Sequence, residues 1–112
     1  MELIKNTFYI NLQDRADRKR HIENQIKKLG VNPQRINACR MKFGCVGCSM
    51  SHIHCIELAK LRGYDQVFIV EDDAVFTNPT KLLESLKKFE KNMDNWDVLI
   101  IGGNVIKPFE EI

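Results

Sequence analysis

No run in this sequence is apolar for long enough to cross a bilayer, which takes about 20 residues of helix. The opening MELIKNTFYINLQD has neither the apolar core nor the small-residue cleavage site of a secretory leader. Nor is there a large surplus of one charge: 17 Lys and Arg against 15 Asp and Glu leave a formal +2. The densest basic stretch, Arg15 to Arg20, is broken by Asp17 and preceded by Asp14, as on a solvated helix face. Nucleic-acid or membrane-surface binding would need basic residues clustered on one face, so neither partner is expected. No repeat, low-complexity tract or linker divides the 112 residues, which suffice for one domain with one core. Hydrophobic residues make up 44% and charged ones 29%, as in an ordinary soluble globular domain. Cysteine is confined to one stretch, at Cys39, Cys45, Cys48 and Cys55. A disulfide framework would be spread along a secreted chain. The expectation is reduced thiols in a cytoplasmic compartment or, for a virally encoded chain, in the host cytoplasm or the virion.

Apolar runs alternate with amphipathic ones. TFYINL (7–12) is β-branched and aromatic, a buried strand. Asp14 can cap the helix that follows, with Asp17 near the positive end of its dipole. Ile22, Ile26 and Leu29 recur at helical spacing, and Gly30 is a natural stop. A short strand is expected within Pro33 to Ala38, and a helix from about Gly44 to Leu61. QVFIV (66–70) is a second strong strand, ending in Glu71-Asp72-Asp73. Asn78-Pro79 opens another helix, with Leu82, Leu86, Phe89 and Met93 on its apolar face. WDVLII (96–101) reads as a third strong strand, followed by Gly102-Gly103-Asn104.

Strands apolar throughout and separated by helices predict an α/β fold with a mostly parallel sheet covered on both faces. Ligands bind such sheets beyond the carboxyl ends of the strands. Asn11 to Arg18, Glu71-Asp72-Asp73 and Gly102-Gly103-Asn104 are expected to gather there. If the extended geometry continues, Glu71 and Asp73 point to the same side. Two such carboxylates suit a hard divalent cation and leave positions for phosphate oxygens. The bland alternative is an acidic strand end facing water.

Cys45 and Cys48, with His52 and Cys55 after them, have the residue types of a zinc site. Four ligands along one straight helix cannot wrap a tetrahedron, and structural zinc draws ligand pairs from separate elements. Small apolar packing thiols are the competing reading. The same stretch also reads G-x-x-G-C-x-x-S-H. Gly44 and Gly47 lie one helical turn apart, which suggests close backbone packing or ligand approach.

Taken together, FYINLQDRADR (8–18), RINAC (35–39), GCVGCSMSH (44–52), VFIVEDDAVF (67–76) and WDVLIIGGN (96–104) resemble glycosyltransferase family 25. That family includes lipooligosaccharide and collagen hydroxylysine galactosyltransferases. The resemblance implies a GT-A-like, Rossmann-like fold and a UDP-sugar donor, UDP-galactose or UDP-glucose. It implies inverting transfer of a hexose to a glycan or hydroxylysine-type acceptor. Carried over, Asn11, Leu12, Asp17 and Arg18 border the nucleotide, and Gly47, Cys48, Ser51 and His52 lie beside the donor pocket. Glu71-Asp72-Asp73 takes the place of the DXD-type motif. There Asp73, with Glu71, would hold Mn²⁺ or another divalent cation, and Glu71 or Asp72 would lie near ribose or diphosphate. His52 has a competing role as a structural histidine, and Arg18 a competing role as a partner of Asp14.

Family members are longer, so the resemblance implies a truncated, donor-binding half. The catalytic base, which the acceptor half would supply, is not nominated. A short product without transfer activity and a homo-oligomer whose second copy completes the site are the other readings. Three functions therefore stand: a family 25 transferase, a non-catalytic binding or scaffold module of the same fold, and a small zinc protein.

Overall fold

The computed structural model describes residues 1–39 and 44–102, with the side chains of Gly44, Cys45 and Val46 outside the description. Gly103 and Asn104 also lie outside the described residues. After a short 3-10 turn at Glu2–Ile4, the order is β1 (Thr7–Asn11), α1 (Ala16–Lys27), β2 (Gln34–Asn37), α2 (Gly44–Leu61), β3 (Phe68–Glu71) and α3 (Pro79–Asn92). The three strands form one parallel sheet in the order β2-β1-β3.

β1 is central, and all five of its residues are buried. Its pleat sends alternate side chains to opposite faces. Phe8 and Ile10 pack with Ile36 of β2 and with Cys55 and Ala59 of α2. Tyr9 packs the other way, against Ile22 and Ile26 of α1 and Val70 of β3. The sheet is therefore covered on both faces, the doubly wound, Rossmann-like arrangement that the continuous apolar strands predict. In the order 2-1-3 the connections from β1 and to β3 leave in opposite senses. The crevice where such folds bind ligands thus falls between the carboxyl ends of β1 and β3. A third cluster joins Leu3, Ile4, Leu29 and Leu86, with Leu82 and Phe89 of α3 packed against it.

Two local expectations need correction. Arg15, and not Asp14, holds the cap position of α1, with no side-chain cap bond. A tight turn, Arg15 N–H to Leu12 C=O at 3.0 Å, carries the chain one residue further before the helix begins. Asp17 in the first turn supplies the anionic charge instead. Its bond from Arg15 and the backbone amide of Arg18 hold its carboxyl well below the usual range. The second correction is WDVLII, which forms no strand. Trp96 and Leu99 turn into the third cluster, and Trp96 meets the Phe89 ring edge-on at 5.3 Å. Val98 and Ile100 remain exposed, at 78% and 76%. A spacing of three between the anchored side chains replaces the strand's two. An apolar run becomes a strand only where a neighbouring strand accepts its hydrogen bonds, and among the described residues none pairs with the outer edge of β3.

The helix-end signals at Gly30 and at Asn78-Pro79 hold. Gly30 takes a left-handed φ of 75° just past α1. The Asn78 side chain accepts from the Lys81 amide at 3.1 Å, with Pro79 at the first helical position. No helix among the described residues is long and apolar enough to cross a membrane.

Ile22 and Ile26 are completely buried, so Ile26→Ala is expected to cost about 2–5 kcal/mol in urea unfolding. Cys55 is equally buried. Burial, and then the neighbouring Cys39, push its thiol up from 9.0 to about 11. Its contribution is complete below about pH 9, where folded and unfolded thiols both keep their proton, and is lost as pH rises towards 11. Wild-type stability should therefore fall faster than that of Cys55→Ala across this interval, measured by denaturant unfolding at each pH.

Candidate functional site at the strand ends

The site is organised around Asn11, the last residue of β1, which is 2% exposed. Its side-chain amide donates to Asp72 Oδ2 at 2.8 Å and to the Arg15 carbonyl at 3.1 Å. Its Oδ1 accepts from Arg35 Nε at 3.0 Å, and its own carbonyl accepts from Arg35 Nη2 at 2.9 Å and from the Ala38 amide at 3.1 Å. One side chain thus ties the ends of β1 and β3, the start of α1 and the middle of β2. A buried amide must find partners for both of its N–H groups, and this one finds them on two different elements.

β3 ends at Glu71, and the backbone turns there: the Ala74 amide bonds the Glu71 carbonyl at 3.2 Å. The alternation that would place Glu71 and Asp73 on one side therefore stops at Glu71. Glu71 leans onto α2, with Oε1 2.8 Å from Cys48 Sγ and 3.5 Å from His52 Nε2. Asp72 leans the other way, to Asn11 and to Arg18 Nη1 at 3.5 Å. Asp73 is exposed beside it.

Two open hollows lie at this edge of the sheet. One, of about 410 Å³, is lined by Leu12, Gln13, Asp14, Asn37 and Ala38. The other, of about 330 Å³, lies between α1 and the acidic turn, where Arg15, Asp17, Arg18, His21, Asp72 and Asp73 line it. Of the residues singled out in the sequence, Leu12 thus borders the first hollow, and Asp17, Arg18, Asp72 and Asp73 share the second. Arg18 reaches across to β3, so its pairing is not confined to its own helix. Ser51 is buried and spends its hydroxyl on backbone: it donates to the Gly47 carbonyl and accepts from the Cys39 amide, both at 2.8 Å. It anchors α2 to the chain leaving β2. His52 is half-exposed and meets Glu71. Cys55 is buried in the apolar core, two helical turns beyond Cys48, and is not among the groups that converge on Glu71, so the packing reading holds for it and the four-ligand zinc set does not assemble. The side chain of Cys45 lies outside the described residues.

Sequence reasoning passed over Arg35, the cap residue Arg15 and two side chains of α1. His21 Nε2 donates to the Ala74 carbonyl at 2.9 Å, and Gln25 Oε1 accepts from the Phe76 amide at 2.9 Å. With Arg18 they form one stripe at i, i+3 and i+7 that pins the acidic turn. Arg15 lines the hollow and bonds Asp17 through both Nε and Nη2. The stripe's spacing was readable, but what it faces was not.

Asn11→Ala removes the side-chain bonds to Asp72 Oδ2, Arg35 Nε and the Arg15 carbonyl at a buried position and should cost about 2–3 kcal/mol in denaturant unfolding. Arg18→Ala removes an ion pair whose arginine is 45% exposed, and should cost less than about 1 kcal/mol.

Residues 40–111 match the sequence profile of glycosyltransferase family 25, described as an LPS biosynthesis protein family. The match takes in GCVGCSMSH, VFIVEDDAVF and WDVLIIGGN, while the stretches of β1 and β2 precede it. No curated protein and no solved structure matches the chain. With more than half of its length matched, and with a doubly wound sheet that gathers the acidic turn and Asn11 at its switch point, the chain belongs to glycosyltransferase family 25.

Proposed function

We propose that this chain binds a UDP-hexose, UDP-galactose or UDP-glucose, across the crevice between β1 and β3. The hexose would pass to a hydroxyl of a glycan or hydroxylysine-type acceptor. The observation that carries the reading is the 2.8 Å bond from Asn11 to Asp72, which joins the ends of the two strands where such folds take ligands.

The charges of the second hollow favour a metal-assisted donor. Three carboxylates, Asp17, Asp72 and Asp73, face two guanidiniums, Arg15 and Arg18. A diphosphate is itself anionic, so it enters this hollow favourably only with a cation. Oxygen donors alone suit a hard ion such as Mn²⁺. Asp73 is the foremost ligand, with Asp72 beside it; Glu71 is turned onto α2. When bound, the cation neutralises charge on the leaving diphosphate. The chain's own groups do the rest. Arg15 and Arg18 offer forked donors to phosphate oxygens. Leu12 and Ala38 give the first hollow an apolar wall against which a base can lie, with the Asn37 amide at its rim. Asn11 orients Asp72, and the α1 stripe holds the turn in place.

In differential scanning calorimetry, UDP with Mn²⁺ is expected to raise the melting temperature, because a ligand that binds only the folded state stabilises it by mass action. Asp73→Ala should abolish the rise, and Arg18→Ala should diminish it. An unchanged melting temperature for the wild-type chain at saturating UDP and Mn²⁺ rejects donor binding.

A further inference from the structure

Glu71 is the member of the acidic trio that takes no part in the crevice. Its carboxylate lies against Cys48 and His52, which stand at i and i+4 on one face of α2. The three possible ligand atoms, a thiol sulfur, an imidazole nitrogen and a carboxylate oxygen, all lie within 4.8 Å of one another. They come from two elements, a helix and a strand tip, so they approach a common point from different directions. A row of ligands along one helix could not do so.

We propose that Cys48, His52 and Glu71 bind a borderline-soft divalent cation of the Zn²⁺ or Co²⁺ type, at a site separate from the donor crevice. Tetrahedral bond lengths of about 2.0–2.3 Å place neighbouring ligand atoms about 3.5 Å apart. The nitrogen-to-oxygen separation of 3.5 Å matches that value, and the sulfur-to-oxygen separation of 2.8 Å, a hydrogen bond without metal, opens towards it as the ion enters. All three side chains reach the surface, so rotation about their own bonds is enough to close the triangle. Sulfur and imidazole nitrogen select zinc or cobalt over the manganese and magnesium that an all-oxygen hollow prefers. The thiol gives up its proton as the metal binds. Three protein ligands leave a fourth position open to water or another ligand.

The site ties the tip of β3 to α2 on the side opposite Asn11. Two neighbouring residues, Glu71 and Asp72, would then be held from opposite directions, and the turn that carries Asp73 fixed between them. Cys55 is outside the set because it points into the core.

The test is a titration of the chelator-stripped full chain with Co²⁺, in the absence of UDP, followed by absorption. One equivalent of cobalt should produce a sulfur-to-cobalt charge-transfer band together with the strong visible bands of four-coordinate cobalt. Zn²⁺ should displace the cobalt, and the same concentration of Mn²⁺ should not. Cys48→Ser should remove the charge-transfer band. Groups that merely orient a ligand already cost about 10–100-fold in metal affinity when removed, so His52→Ala and Glu71→Gln should weaken binding by at least about tenfold. Circular dichroism checks that each variant keeps its helices. A wild-type chain without the band overturns the proposal, as does a band that survives Cys48→Ser. Should Cys48→Ser fail to fold, unchanged cobalt affinity in Glu71→Gln overturns it and a tenfold loss sustains it. The readout is independent of donor binding, so either reading can fail without the other.

Discussion

A buried side-chain amide cannot leave its two N–H groups idle, and at Asn11 that constraint assembles the whole carboxyl edge of the sheet. One N–H reaches Asp72 and the other the Arg15 carbonyl, while Arg35 closes on the oxygens. The sheet ladders bring the three strands side by side, and those bonds add the side-chain ties that join the turn after β3, the start of α1 and the arginine of β2 to the end of β1. The position is also the one where a sheet ordered 2-1-3 opens a crevice. The interaction that stabilises the edge is thus the same one that shapes the candidate site.

The acidic trio divides because the strand stops. At Glu71 the chain leaves the sheet and turns, so three adjacent carboxylates that would repel one another in a row are sent to different surroundings. Glu71 meets sulfur and imidazole, Asp72 meets an amide and a guanidinium, and Asp73 meets the open hollow. Three identical-looking acids thereby acquire three chemistries. From α1, Arg18, His21 and Gln25 keep the turn in place, acting on side chain, carbonyl and amide in succession.

Much of the fold was legible in the residues. β1 and β3 were plain from their β-branched and aromatic runs. Gly30 and Asn78-Pro79 marked helix ends through conformations that few other residues favour. The apolar spacing of Ile22 and Ile26 named the face of α1 that the sheet covers. WDVLII misled for a physical reason. Its composition matches that of a buried strand, yet Trp96 and Leu99 found a better place beside Leu3, Ile4 and Leu86 than beside β3. Asp14 misled because a turn that ends one residue later moves the cap to Arg15. Of the candidate site, the meeting of the Asn11–Arg18 stretch with the acidic trio could be foreseen from strand polarity alone. Arg35, His21 and Gln25 could not, since each acts through a contact with a residue at least 24 positions away.

What the residues determined by themselves was local: which segments prefer to be strand or helix, which faces are apolar, and which chemically capable groups end up at strand tips. These are matters of backbone sterics and periodicity, and a short window of chain contains them. The tertiary structure alone decided pairing: that Asp72 and not Asp73 meets Asn11, that Glu71 turns to Cys48 and His52, and that Ser51 bonds backbone while Cys55 is buried. Hydrogen bonds and ligand geometry depend on distances of a few ångströms between elements, and packing sets those distances once the sheet has closed on its helices.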